Sequence, residues 1–151
     1  MNQIFQRLSS VFLYTLPLKA SIPFGYYLFS EYSYLNVLKI IIFPVKVIEE
    51  SFPLGGLLFF LILFAGLVRN PNVPYFVRYN ACQALLIDIA LIIISYLLRI
   101  LSISSLVSII SVLGSIIFIF TLCIFIYSIS QCIFGVEPEI PLISKSVRMQ
   151  I

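Results

Sequence analysis

Residues 69–99 read RNPNVPYFVRYNACQALLIDIALIIISYLLR, and this stretch decides the fold class. It begins with a polar, basic loop and continues into an apolar segment that lies between Arg78 and Arg99. A helix of about 20 apolar residues crosses the hydrocarbon core of a bilayer. We therefore predict a membrane span over residues 79–98. Its first half carries Asn80, Gln83 and Asp88, and an ionisable group inside a membrane segment is a candidate functional residue.

The composition of the whole chain agrees with a membrane protein. Of its 151 residues, 62% are hydrophobic and 10% are charged, whereas a soluble domain is about 45–50% apolar and about 25% charged. We predict an all-α integral membrane protein with a single domain, residues 1–151. The net charge is +3 with the basic residues spread singly, which argues against a nucleic-acid partner because nucleic-acid sites need clustered Lys and Arg.

Sequence signals for enzymatic chemistry are missing. The chain has no histidine, the commonest general base and metal ligand. Cys82, Cys123 and Cys132 lie in apolar segments without a C-x-x-C pair, as buried hydrophobic residues commonly do. No G-x-S-x-G motif or P-loop occurs. We therefore expect no catalytic residues, no cofactor, no metal site and no enzymatic activity.

The N-terminal part, residues 1–33, is predicted to lie at the membrane surface. Residues 4–16 have one apolar face, which is typical of an interfacial amphipathic helix. Pro17 is expected to end this helix, and a connector rich in Pro, Gly and Tyr follows. No signal or transit peptide is evident, so we expect that the chain either inserts in the compartment where it is made or is already mature.

Four membrane spans are predicted, at about residues 34–48, 52–68, 79–98 and 112–134, followed by a polar tail at 135–151. The first contains Lys39, Pro44 and Lys46. The alternative to a full crossing is that this segment forms a re-entrant or interfacial helix. The serines before and inside the last span, at positions 104, 108, 111 and 115, share one helical face. Close helix packing is favoured over a hydroxyl-lined pore for them.

The distribution of basic residues predicts the orientation. With four spans, six basic residues lie on the side of both termini, against Lys46 and Arg99 on the other side. This bias places both termini on the side of synthesis. In the loop on that side, Arg69 and Arg78 are candidate contacts to anionic lipid headgroups. The six residues are Arg7, Lys19, Arg69, Arg78, Lys145 and Arg148.

The third span has one polar face, formed by Asn80, Ala84, Asp88, Ser95 and Arg99 with Gln83 beside it. Two interpretations have equal weight. These side chains either form hydrogen bonds between helices, with Asp88 paired to Lys39 or Arg99, or they line a path for something that crosses the bilayer. A proton relay through Asp88 is disfavoured, because only Lys39 is a candidate titratable companion at depth.

Residues 69–88 contain the pattern R-N…Y-F-x-R-x-N-x-x-Q-A-x-x-x-D. It resembles the signature of the small four-span (twenty-kilodalton) subunit family of the chloroplast inner-envelope protein translocon, the TIC complex. Leu16-Pro17 with Ile22-Pro23-Phe24-Gly25 resembles the entry region of that family, and Gly135…Pro138…Ile140-Pro141-Leu142-Ile143-Ser144 resembles its exit region. The absence of a transit peptide resembles the plastid-encoded or cyanobacterial members.

The resemblance implies an all-helical, four-span protein of the plastid inner envelope, or of the inner membrane in a cyanobacterium, with both termini in the stroma. It implies membrane lipids, other translocon subunits and preproteins in transit as partners. Four helices packed at about 8–10 Å fill their own centre, so a polypeptide path would need a homo-oligomer or partner subunits. A structural scaffold subunit and a small-solute or ion channel are the alternative functions.

Overall fold

The computed structural model describes residues 2–51, 54–101 and 107–151, and all regular secondary structure in these ranges is helical. Short 3-10 turns at Ile22–Gly25 and Ser33–Asn36 connect the first helices, and a π-helical turn at Phe64–Val68 extends the fifth. The helices are α1 (Gln3–Leu13), α2 (Thr15–Ser21), α3 (Tyr26–Glu31), α4 (Val37–Glu50), α5 (Gly55–Leu63), α6 (Tyr75–Leu101), α7 (Val107–Phe134) and α8 (Ile143–Arg148).

Helices α6 and α7 are long and apolar enough to cross a membrane. The spanning stretches, Tyr75–Leu101 and Ser108–Phe134, have 27 residues each, a length of about 40 Å at 1.5 Å per residue. They contain the stretches predicted to span at 79–98 and 112–134, so the presence of a helix long and apolar enough to cross a membrane is confirmed at both places. Helix α7 ends at Gly135, whose φ of +76° is the left-handed conformation common after a helix.

The serine face belongs to the first half of α7, which extends the predicted span toward the N-terminus. The Ser111 hydroxyl donates to the Ser108 carbonyl at 2.8 Å, and the Ser115 hydroxyl donates to the Ser111 carbonyl at 3.0 Å. These bonds satisfy the hydroxyls within the helix, so apolar surroundings are tolerated. The serine at position 104 lies outside the described residues.

The structure does not give two separate spans at 34–48 and 52–68. The described helical stretches Ser33–Glu50 and Gly55–Val68 meet at an angle of 99°. Helix α4 has 14 residues and is about 21 Å long, too short to cross a hydrocarbon core of about 30 Å. The two stretches are long and apolar enough to cross only as one bent pair. Phe52, where the second span was predicted to begin, lies outside the described residues.

The N-terminal part also differs from the prediction. Helix α1 ends at Leu13, and Pro17 lies in the first turn of α2 rather than ending a helix. Proline is tolerated there because the first N–H groups of a helix have no partner within it. On α1, Ile4 and Leu8 are exposed while Ser10 and Leu13 are buried.

Residues 3–25, which we call the N-terminal segment, run beside α6 and α7 for most of their length. Near its start, an Arg7 guanidinium nitrogen donates to the Ile133 carbonyl at 3.0 Å, close to the end of α7. At its other end, the backbone of Phe24 lies against Gly114, near the start of α7. The stretch of α7 between these contacts is about 28 Å long. The N-terminal segment is therefore antiparallel to α7 and packs into the helical bundle.

Gly114 allows the close approach of α7 to the N-terminal segment, since a Cβ built there would lie 3.1 Å from the carbonyl oxygen of Phe24. We predict that Gly114→Val lowers the free energy of unfolding by about 1–3 kcal/mol, the usual range for overpacking. Unfolding in detergent, followed by circular dichroism, measures the change. Gly56→Val is the matched control, because a Cβ at Gly56 meets nothing within 4 Å. Equal losses in both variants would contradict the close approach.

Candidate functional site

Asn80 connects three parts of the chain through hydrogen bonds. The Tyr14 hydroxyl, between α1 and α2, lies 3.0 Å from Asn80 Oδ1, and the Cys132 thiol of α7 lies 3.3 Å from the same oxygen. Asn80 Nδ2 donates to the Phe76 carbonyl at 2.7 Å, one turn earlier in α6. Asn80 is 0% exposed. Its amide therefore satisfies polar groups of the N-terminal segment, α6 and α7 away from solvent.

Gln83, also 0% exposed, connects the N-terminal segment to the C-terminal tail. Its Oε1 lies 3.2 Å from the Tyr14 hydroxyl, which Gln83 thus shares with Asn80. Its Nε2 lies 3.5 Å from the Ser144 hydroxyl oxygen, which accepts from the Ile140 amide at 2.8 Å. We call Tyr14, Asn80, Gln83 and Ser144 the amide network.

Further contacts fix the tail against the start of α6. The Tyr79 hydroxyl donates to the Pro138 carbonyl at 3.1 Å, and the Arg148 guanidinium lies 6.0 Å from the centre of the Tyr79 ring. Arg148 also pairs with Glu139 at 2.8 Å. The predicted polar tail is thus a folded part of the bundle end, with α8 against α6.

The two candidate headgroup contacts have different surroundings. Arg78 is half-buried, and it donates to the carbonyl of Val68 at 2.9 Å and to that of Ile151 at 3.3 Å. It closes the loop before α6 onto the chain end. Arg69 is exposed, with its guanidinium 5.6 Å from the Phe64 ring centre, and remains accessible to a lipid headgroup.

An ion pair that the sequence did not predict joins Lys19 of α2 to Glu49 of α4. Both groups are within electrostatic range of Asp88 on α6. Asp88 is 7% exposed, and its Oδ1 is buried without a hydrogen-bond partner among the described residues. We call Lys19, Glu49 and Asp88 the charge cluster.

The partners predicted for Asp88 lie elsewhere. Lys39 stands 4.9 Å from the centre of the Phe29 ring. Arg99 is eleven residues further along α6, which corresponds to about 16 Å. Lys19 was assigned to a connector, and a lysine between apolar residues, in Leu18-Lys19-Ala20, was the signal that could have revealed it.

Ser95 is separate from the other polar residues of α6. It is half-buried, and its hydroxyl donates to the Ile92 carbonyl at 2.9 Å. Together with Tyr26, Tyr27 and Arg99 it lines a cavity of about 300 Å³ at the far end of the bundle. The polar face predicted for α6 thus divides into the amide network, the charge cluster and this cleft.

The described part of the chain contains no group of three or more His, Cys, Asp or Glu side chains able to hold a metal ion. Cys82 and Cys132 are buried, and Cys123 is exposed on α7. The Cys82 thiol lies 3.5 Å from the Gln150 side-chain oxygen. The arrangement within the described residues holds helices together by hydrogen bonds and charge.

Comparison with known proteins gives related sequences over almost the whole chain. Residues 2–147 match the family described as "Chloroplast import apparatus Tic20-like". A "Tic20 family protein" of Synechocystis sp. is 33% identical over 97 residues, which are 62% of this chain and 61% of that protein.

Two relatives come from Arabidopsis thaliana. "Protein TIC 20-v, chloroplastic" is 32% identical over 147 residues, 96% of this chain and 70% of that protein. "Protein TIC 20-II, chloroplastic" is 36% identical over 97 residues, 64% of this chain and 47% of that protein. The matched regions thus span between 47% and 70% of the lengths of these relatives. The resemblance seen in the sequence is confirmed, and the chain belongs to the Tic20-like chloroplast import apparatus family.

Proposed function

We propose that this protein is a subunit of the machinery that imports preproteins across the plastid inner envelope. The match to the Tic20-like family over residues 2–147 carries this proposal, and two relatives are named as chloroplastic TIC 20 proteins. The proposed partners are other translocon subunits, membrane lipids and preproteins in transit. In a cyanobacterium the location would be the inner membrane, as the relative from Synechocystis sp. suggests.

We also propose four membrane crossings, with boundaries that differ from those predicted from the sequence. The first crossing is the N-terminal segment, supported by its contacts with α7 from Ile133 to Gly114. The second is the bent pair of α4 and α5, and the third and fourth are α6 and α7. A lone helix as short as α1 would not span a bilayer, but beside α6 and α7 the N-terminal segment covers a similar height.

This arrangement keeps both termini on one side, which we assign to the stroma. Arg7, Arg69, Arg78, Lys145 and Arg148 lie on the terminal side, while Lys39, Lys46 and Arg99 belong to the other half of the protein. The excess of basic residues on the terminal side supports this orientation.

For the polar face of α6, we propose the interhelical role. Asn80 and Gln83 are fully buried and bonded to Tyr14, so lining a path would require the N-terminal segment to leave α6. Twelve side chains of α6 are buried against its neighbours. A single copy therefore contributes an outer wall to any polypeptide path, with partner subunits or further copies forming the rest.

The first crossing can be tested by labelling cysteines from each side of the membrane. In oriented inner-envelope vesicles, we expect a membrane-impermeant maleimide to modify Glu31→Cys from the intermembrane side and Asn72→Cys from the stromal side. Both positions are exposed. The wild-type protein serves as the blank, since Cys82 and Cys132 are buried and Cys123 lies near the middle of α7. If both positions were labelled from the same side, the N-terminal segment would not cross the membrane, and the interfacial position would be favoured.

The amide network can be tested by removing its shared hydroxyl. Tyr14→Phe leaves both Asn80 Oδ1 and Gln83 Oε1 without their donor from Tyr14, and interhelical hydrogen bonds in membranes contribute about 0.6 kcal/mol on average and at most about 1.7. We expect a loss of unfolding free energy within this range in detergent. Tyr27→Phe is the control, because Tyr27 is 53% exposed. If Tyr14→Phe and Tyr27→Phe had the same unfolding free energy, the proposed stabilising role of the amide network would be contradicted.

The import function can be tested in plastids depleted of this protein. We expect import of a labelled stromal precursor to be largely lost and to return with the wild-type protein. Insertion of an outer-envelope protein is the control, since it does not require passage through the inner membrane. Undiminished import would contradict the proposal, and ion conductance by the purified protein in vesicles would then favour the small-solute or ion channel.

A further inference from the structure

An apolar groove lies between α1 and α5, in the half of the bundle that contains both termini. Its volume is about 470 Å³, within the range of about 300–1,000 Å³ that is usual for ligand pockets. Leu13, Leu16 and Val77 are buried at its base. Leu8 and Phe12 form the wall on the side of the N-terminal segment, and both are exposed. The groove is therefore built on the bundle core and open to its surroundings.

Helix α5 forms the other wall without burying a residue. Phe59, Leu63 and Leu67 line the groove from α5 and the π-helical turn, at intervals of four residues along one face. None of the residues Gly55–Leu63 is buried, whereas α6 buries twelve. Because an empty groove would lose van der Waals contacts along both walls, an apolar group must fill the space between α1 and α5.

The size of the groove favours a lipid chain over a helix of another protein. The eight residues from Phe59 to Leu67 correspond to a length of about 12 Å. A helix of this length, about 10–12 Å across with its side chains, occupies about 900–1,400 Å³, and the groove offers about 470 Å³. Its length is close to the thickness of one hydrocarbon leaflet, about 15 Å. An acyl chain from the leaflet on the terminal side therefore fits the groove.

The outer end of the groove carries a positive charge. Leu67 and Val73, which stand before and after Arg69 in the chain, both line the groove. The Val73 amide donates to the Asn70 carbonyl at 3.1 Å, so the loop turns back on itself there. Arg69 is exposed, its guanidinium lies 5.6 Å from the centre of the Phe64 ring, and it forms no ion pair with any described residue. A guanidinium at this position attracts an anionic headgroup.

The headgroup determines which lipid is preferred. A chain that enters the groove from the bilayer exchanges one apolar environment for another, so it gains little hydrophobic free energy. We propose that the groove binds one acyl chain of a lipid with an anionic headgroup, which Arg69 contacts. The expected preference over a zwitterionic lipid is about fivefold, which corresponds to about 1 kcal/mol for one basic residue. This inference rests on the proposed crossing of α4 and α5 and is independent of the import function.

Tryptophan fluorescence can report on the occupant, because the protein contains no tryptophan. Phe12→Trp places one in the wall of the groove, and Leu8→Trp, one turn earlier, is the second variant. Both native side chains are exposed, so the larger ring can be accommodated. The vesicles consist of phosphatidylcholine with a small fraction of phosphatidylglycerol, and one of the two lipids carries brominated chains, which quench tryptophan. We expect brominated phosphatidylglycerol to bind beside Trp about fivefold better than brominated phosphatidylcholine.

Leu61→Trp is the matched control, because Leu61 is exposed on α5 and does not line the groove. We expect both brominated lipids to quench it equally. Absence of quenching in Leu61→Trp would contradict the proposed membrane crossing of α5, and the lipid site with it. If Leu61→Trp is quenched, the site alone is tested. Equal quenching of Phe12→Trp by the two lipids would then overturn the anionic lipid, and protection of both Phe12→Trp and Leu8→Trp would show that protein fills the groove.

A charge-removing variant tests the headgroup contact. In the Phe12→Trp background, we expect Arg69→Gln to remove the preference for phosphatidylglycerol while quenching by phosphatidylcholine persists. Lys46→Gln is the control, since it removes an exposed positive charge from the other half of the protein and should leave the preference unchanged. A fivefold preference that persists in Arg69→Gln, or that falls equally in both variants, would overturn the contact between Arg69 and the headgroup.

Discussion

Polar groups inside a bilayer cannot form hydrogen bonds with water, so they need partners within the protein. In this bundle, Tyr14 provides such a partner for the polar side chains of α6. The backbone bonds of α6 are satisfied within the helix, but the amides of Asn80 and Gln83 are not. One tyrosine hydroxyl reaches both of them, at 3.0 and 3.2 Å. The N-terminal segment therefore occupies a fixed position beside α6, and Ser144 attaches the tail to the same site through Gln83. A stretch without a long apolar helix becomes part of the helical bundle in this way.

The same constraint explains why short helices are tolerated here. Alone, α1, α2, α4 and α5 are each shorter than the hydrocarbon core is thick. Their ends leave backbone groups unpaired, which is acceptable only where protein or water covers them. The long helices α6 and α7 cover one side of α1 and α2. Near the end of α4, Glu49 pairs with Lys19 of α2, so an ion pair lies close to the point where α4 stops.

Much of this fold could be predicted from residue patterns, and the failures have physical causes. Long apolar runs predicted α6, between Arg78 and Arg99, and α7, which follows Arg99, since length and hydrophobicity alone determine such helices. The polar residues Asn80, Gln83 and Asp88 were found for the same reason: they stand out in an apolar run. Their partners could not be found, because Tyr14, Lys19 and Ser144 are distant in sequence and lie in stretches predicted to be an interfacial helix, a connector and a polar tail. The interfacial position of the N-terminal segment was predicted from its one apolar face and stays a prediction. Its contacts with α6 and α7 depend on neighbours that no local pattern contains.

Helix α6 takes part in two kinds of polar site, the amide network and the charge cluster, and their chemistry differs. The amide network is made of neutral groups, with one Tyr14 hydroxyl shared between the Asn80 and Gln83 amide oxygens, so it suits permanent attachment of the N-terminal segment and the tail. The charge cluster joins α2 to α4 through the ion pair of Lys19 and Glu49, so this attachment is electrostatic.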